Sequence, residues 1–234
     1  MLEKNGVRVA AISYDSREIL AAFADHHSIG FPLLSDAGSE TIRAFGIFNF
    51  NMAPGLRAYG VPHPVDFLVT PDGTVVRKYF VPNYQHRVSG AAVALREFGT
   101  VDGGAPVVTL ESGAVSVQIG FPSAEAFAGQ EVSFFARFAL QPGWHVYETT
   151  SVTFEGSAIA RQTFKLPALP LYSDSFQATG TLLLKFPLPD GPLVLPGRLE
   201  FQQCSDTVCE PPETVHFELP LRLEKFVVSD RDKK

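Results

Sequence analysis

Cys204 and Cys209 are the only two thiols in this 234-residue chain, and they stand together in Cys204-Ser205-Asp206-Thr207-Val208-Cys209-Glu210-Pro211-Pro212. Such a pair can form an exchanging disulfide, form a structural one, remain as free thiols, or supply half of a metal site. Closing so small a loop removes little entropy from the unfolded chain, about 2 kcal/mol on the chain-entropy model. A chain of this length buries a full core without a staple. A short, isolated, proline-bounded cysteine loop therefore reads better as a reversible thiol–disulfide site. The structural disulfide, the free thiols and the half metal site stay open at this point.

Other chemistry is less well served. His26, His27, His63, His86, His145 and His216 show no ligand spacing, and no second cysteine pair accompanies the first, so no metal is expected. There is no Gly-x-Ser-x-Gly turn, phosphate loop or dinucleotide fingerprint. No cofactor is expected. A net charge of −6 argues against a nucleic-acid surface, and the 20 phenylalanines fall on apolar strand faces and read as core. No apolar run approaches the roughly 20 residues of a membrane span. Met1 to Gly6 lacks a basic head followed by an apolar stretch, so no signal peptide is expected.

The elements that must position the cysteines fall into two halves. Residues 1–98 alternate strand and helix patterns. Val7–Ser13 suits a buried strand, Asp15 or Ser16 can cap a helix with Ile19, Leu20, Phe23 and Ala24 on one face, and Ser39 precedes a short helix ending near Gly46. Val65–Thr70 and Thr74–Phe80 flank the turn Pro71-Asp72-Gly73, and a last helix is predicted from about His86 to Phe98, burying Val88, Ala91, Ala92 and Leu95. Residues 99–106 are a linker by composition. Over 107–228 the period becomes two, as in Val132, Phe134, Ala136, Phe138, Leu140 and in Val215, Phe217, Leu219, Leu221, Leu223. The expected fold class is α/β plus all-β, the second half a sandwich.

Gly6–Ser16, Phe31–Asp36 and Tyr59–Gly73 together resemble a thioredoxin-fold redoxin of the AhpC/TSA type over nearly all of the first hundred residues. The resemblance makes Pro64, just before a strand, the candidate for that fold's cis-proline. It also implies a first strand–helix unit carrying the reactive cysteine at a helix N-terminus, where the dipole favours the thiolate. No cysteine precedes residue 204, so this half cannot run thiol chemistry as given. A gene start placed too late, a truncated chain and a redoxin decayed into a scaffold are the three readings. An incomplete fold exposes a sheet edge, which is a motive for homodimerisation.

Residues 107–226 resemble the immunoglobulin-like N-terminal domain of the thiol:disulfide interchange protein DsbD. Leu199–Cys204, with Cys209-Glu210-Pro211-Pro212, carries most of the likeness. Pro142–Tyr147 is similar to the family's aromatic strand, and Ser173–Phe176 to its cap loop. The resemblance implies a domain that exchanges electrons with protein thiol partners through Cys204 and Cys209. It implies that Phe176 shields the disulfide and that Asp174, Tyr147 and His145 tune it. Ser175 replaces the family's carboxylate beside Asp174, and Glu210 puts a negative charge beside Cys209, which disfavours its thiolate. The implied location is periplasmic or otherwise extracytoplasmic, with the cytoplasm as the alternative. A non-catalytic interaction module with a structural disulfide is the competing reading.

Overall fold

The computed structural model describes residues 2–56, 59–80 and 88–225. The chain divides into two compact units, Leu2–Arg87 and Val88–Lys234, the latter also counting Met1.

The first unit contains β1 (Ala11–Ser13), α1 (Arg17–His27), β2 (Leu33–Ser35), α2 (Glu40–Ala44), β3 (Val65–Val69) and β4 (Val75–Phe80). β1 and β2 pair in parallel and β3 and β4 pair antiparallel, as separate two-stranded sheets. The strand expected over Val7–Ser13 is ordered as a ladder only at Ala11–Ser13, because its partner offers just three residues. With one neighbour, β1 is not buried: Ile12 is 44% exposed and Leu34 opposite it 48%. Ser16 caps α1 by accepting from Ile19 N, but only Leu20 of the apolar stripe is buried, since three-residue β2 is too small to cover the rest.

α2 is capped differently from the sequence reading. Asp36 accepts from the backbone N–H groups of Glu40, Thr41 and Ile42, while Ser39 sits in left-handed backbone and donates its hydroxyl to Gly60 O. A carboxylate takes several orphan donors at once, which one hydroxyl cannot do. The Pro71-Asp72-Gly73 turn forms as expected: Gly73 has φ 90°, Thr70 N donates to Thr74 O, and Asp72 accepts from the Thr70 hydroxyl. That hydroxyl first, and the Thr74 N–H second, hold the Asp72 carboxyl below its usual pKa.

Pro64 is a correction. The one cis peptide bond among the described residues is Phe186–Pro187, so the bond before Pro64 is trans. The trans form is favoured by about 0.5–1 kcal/mol. It also suits the extended run into β3, where Phe48 bridges Pro62 and His63 N donates to Ile47 O.

The second unit opens with α3 (Gly90–Phe98), capped by Ser89, whose hydroxyl accepts from Ala92 N. The predicted start at His86 lies outside the described residues. Val88 precedes the helix and bridges Glu131. There follow β5 (Val107–Ser112), β6 (Val115–Gly120), β7 (Glu125–Phe127), β8 (Glu131–Leu140), β9 (Trp144–Val146), β10 (Ser151–Phe154), β11 (Ile159–Lys165), β12 (Tyr172–Ser173), β13 (Ser175–Leu184), β14 (Gly191–Phe201), β15 (Gln203–Ser205) and β16 (Glu213–Glu224). A five-stranded sheet, β11-β13-β8-β6-β5, and a four-stranded sheet, β10-β14-β16-β7, enclose one core. Rings join them: Phe154 of β10 meets Phe134 of β8 at 5.0 Å and Phe217 of β16 at 5.3 Å.

The inward residues of β8 and β16 are those the period of two selects, except that Leu140 and Val215 are only half-buried. On β8 the other face is covered too. α3 packs on it, Phe135 is buried, and Arg137 donates to Gly99 O. The helix therefore belongs to the β unit by contact, and the division falls at Val88 rather than at the composition change at residue 99.

Gly180 of β13 lies between Phe134 and Phe164 on the flanking strands, and those two rings stack at 6.0 Å. A Cβ there would sit 2.2 Å from the Phe134 ring and 2.3 Å from Thr163 O. Gly180→Ala is expected to destabilise the domain by about 1–3 kcal/mol, as overpacking does. Urea titration checks this, with Gly103→Ala as the near-neutral comparison, since no atom lies within 4 Å of a Cβ there.

Candidate functional site

Cys204 sits on a small sheet beside the sandwich, in the order β12-β9-β15, and Cys209 bridges it from just outside that sheet. Cys204 faces His145 in the β15–β9 ladder, and His145 faces Ser173 in the β9–β12 ladder. Three segments distant in sequence are thereby drawn together: the aromatic strand at 144–146, the loop at 172–174 and the cysteine hairpin.

The hairpin is built by its backbone and by Ser205. Ser205 N donates to Val208 O at 2.7 Å, and Glu210 N donates to Gln203 O at 3.0 Å. The Ser205 hydroxyl accepts from Thr207 N and Val208 N, which closes the turn. Cys204 and Cys209 are then directly opposed between these hydrogen bonds, with Cα atoms 4.1 Å apart and a disulfide joining them. A non-hydrogen-bonded antiparallel pair brings Cα atoms to about 4.5 Å. The strand pairing and the bond thus bring the same two residues together.

The two sulfurs have unlike surroundings. Cys204 is 0% exposed, on the strand that pairs with β9. Cys209 is exposed, as are Val208 and Glu210 on either side of it. The Tyr147 hydroxyl lies 3.9 Å from Cys209 Sγ, and the Tyr147 ring meets His145 edge-on at 5.3 Å. Asp174 adopts φ 58°; its carbonyl accepts from Leu140 N, and its carboxylate accepts a long hydrogen bond of 3.5 Å from the Ser173 hydroxyl. Phe176 points into the sandwich core, stacked on Phe138 at 4.6 Å and 9% exposed. The structure thus gathers Cys204, Cys209, His145 and Tyr147, puts Asp174 one residue from that group, and commits Phe176 to the core.

One participant escaped the sequence reading as a site residue. Gln203 is buried and accepts from Ala114 N at 2.9 Å through Oε1, tying the hairpin to the β5–β6 turn. Its partner lies some ninety residues earlier in the chain, and no local pattern announces that contact. Among the described residues, no group of three His, Cys, Asp or Glu side chains is placed to hold a metal.

Known proteins resemble the two halves separately. Residues 1–78 match the AhpC/TSA family, and residues 118–221 match the family described as thiol:disulfide interchange protein DsbD, N-terminal. The first segment is 35% identical over 91 residues to a putative peroxiredoxin of Mycobacterium tuberculosis (strain ATCC 25618 / H37Rv), covering 39% of this chain and 55% of that protein. It is 35% identical over 74 residues to peroxiredoxin Bcp of Escherichia coli (strain K12), covering 32% of this chain and 47% of that one. The chain spans about half the length of these curated relatives. Among solved structures, the N-terminal periplasmic domain of ScsB from Proteus mirabilis superposes with a TM-score of 0.38 at 17% identity, covering 50% of each chain. Within the redoxin-type segment there is no cysteine; both lie in the DsbD-type segment.

Proposed function

We propose that, in a chain joining an AhpC/TSA-type segment to a DsbD N-terminal-type segment, the Cys204–Cys209 bridge exchanges an electron pair with the dithiols of partner proteins. The observation that supports this is the unequal burial of the sulfurs, Cys209 exposed and Cys204 enclosed. A partner thiolate attacks Cys209 Sγ. The new intermolecular S–S bond forms as the Cys204–Cys209 bond breaks, and Cys204 leaves as a thiolate and takes up a proton. The partner's second thiolate then attacks the partner sulfur of the mixed disulfide and releases Cys209, which is protonated in turn. The partner's dithiol becomes a disulfide, and this chain gains two electrons and two protons. Tyr147, with its hydroxyl 3.9 Å from Cys209 Sγ, is positioned to give that second proton. His145, paired with Cys204 along the ladder and packed on Tyr147, fixes the ring that carries the hydroxyl.

A second reading has its own support. The redoxin-type segment contains no cysteine, and Cys204 is wholly buried in a paired strand. On that reading the bridge is a staple in a non-catalytic interaction module, and the exposed β1–β2 pair is a surface for self-association. An exchanging pair works on either side of a membrane, and it is the DsbD N-terminal-type match that favours an extracytoplasmic location. No helix among the described residues is long and apolar enough to cross a membrane.

The reduction potential separates the readings. The protein is equilibrated in thiol buffers of graded potential, alkylated and weighed. A value well above about −300 mV is expected for an exchanging pair. A value below that mark makes the bridge a staple and ends the exchange reading.

A further inference from the structure

An open groove of about 540 Å³ runs beside the disulfide hairpin, between the β5–β6 turn at Gly113 and the segment Pro211-Pro212 that follows Cys209. Trp144, Gln203, Glu210 and Glu213 also line it. Gln203 precedes Cys204 and Glu210 follows Cys209, so by strand alternation the groove lies on the face of the hairpin opposite the sulfurs, one residue along the chain from each.

Three observations define an occupant. The first is charge. Glu210 and Glu213 are the charged residues of the lining, and no lysine, arginine or histidine accompanies them. Among the described residues neither carboxylate has an ion-pair partner; Glu213 accepts only the Ser112 hydroxyl. The second is an unused donor. Gln203 is 5% exposed, and its Oε1 is taken by Ala114 N. Nε2 has no partner among the described residues. It lies over Gly113, where a Cβ would approach to 2.4 Å, so glycine keeps this amide open to the groove. The third is the apolar surface of Trp144, Pro211 and Pro212.

These features fit one ligand class. The methylenes of a lysine or arginine lie along tryptophan and proline while its cationic head meets carboxylates. The free amide donor takes a main-chain carbonyl of the same extended segment. We infer that this groove selects thiol proteins carrying a lysine or arginine in the extended segment beside their reactive cysteine. The inference rests on the exchange reading and names the partners of that site.

The test uses the full chain in its oxidised state and three short cysteine peptides that differ only in a Lys, Gln or Glu next to the cysteine, the position whose side chain faces opposite to the thiol in an extended segment. Second-order rate constants for reduction are compared per thiolate, at low and at high salt. The lysine peptide is expected to react about tenfold faster than the glutamate peptide at low salt, with the gap closing as salt screens the charges. In Glu210→Gln, and further in Glu210→Gln with Glu213→Gln, the Lys-to-Glu ratio is expected to fall toward one. Equal rates for the lysine and glutamate peptides in the natural sequence overturn the inference while leaving exchange in place. So does a preference that survives the double substitution. Failure of all three peptides to react overturns the exchange reading and the inference with it. Light scattering that shows a dimer abolished by Glu210→Gln makes a second copy the occupant and also overturns it.

Discussion

Cys204→Ala is expected to leave a chain whose Cys209 thiolate attacks the disulfides of oxidised partner proteins and holds them as mixed disulfides, and Cys209→Ala one that captures almost none. In the first variant the remaining thiol is the exposed Cys209; its bond to a partner sulfur forms as the partner's S–S bond breaks, and Cys204, which would release that partner by re-forming the bridge, is gone. In the second the remaining thiol is Cys204, enclosed at 0% exposure in the β15–β9 ladder. Reaching it requires local opening. An opening cost of about 3 kcal/mol lies within the range of sub-global unfolding, and at 1.4 kcal/mol per decade it slows labelling about a hundredfold. Alanine suits the enclosed position better than serine, because a buried hydroxyl without a partner carries its own penalty. Alkylation time courses on the two folded variants read the ratio directly. Equal rates would mean that the two sulfurs do not differ in access, and the assignment of Cys209 as the attacked atom would fall. The hairpin also carries backbone and Ser205 hydrogen bonds that involve neither sulfur, so both variants are expected to keep the turn.

Phe134→Ala is expected to cost about 3–5 kcal/mol, a large share of the roughly 5–15 kcal/mol that holds an ordinary domain folded. Phe134 is fully buried, and its ring touches Phe154 at 5.0 Å and Phe164 at 6.0 Å, so it joins both sheets of the sandwich. Gly180 opposite it has no side chain with which to refill the space. The measurement is the urea midpoint of the β unit followed by its single tryptophan, Trp144. A loss below about 1 kcal/mol would place the centre of the core elsewhere.

The β unit was legible because its strands are long. Ten residues of β8 and twelve of β16 give the two-residue period many chances to repeat, and the sandwich core follows from it. The short strands that build the site carry no such signal. β9, β12 and β15 have two or three residues each; likeness to a known domain marks the β9 segment as a strand but makes the β12 region a cap loop. The α2 cap shows a different limit: Ser39 looked like a cap by its place, yet Asp36 performs it from a turn that folds back over the helix start. The identity of the cysteine pair could be read directly, but its chemistry could not, because that depends on which sulfur faces solvent. Burial of Cys204 is set by β9, some sixty residues away, and spacing within the loop says nothing about it. Phe176 likewise occupied the cap-loop position in sequence, while its partner on β8, Phe138, fixes the ring in the core.

Helix α3 changes what counts as a transferable piece of this chain. By composition the β segment starts after the glycine-rich stretch, and a fragment cut there would look natural. Yet α3 is the cover over Phe135 and the outer side of β8, and Gly99 O is the acceptor for Arg137. A fragment cut after the helix would carry a greasy ring on its surface and an Arg137 that keeps Gln177 but loses its main-chain acceptor. The unit that can be grafted, recombined or expressed alone carries its helix with it and begins no later than Val88.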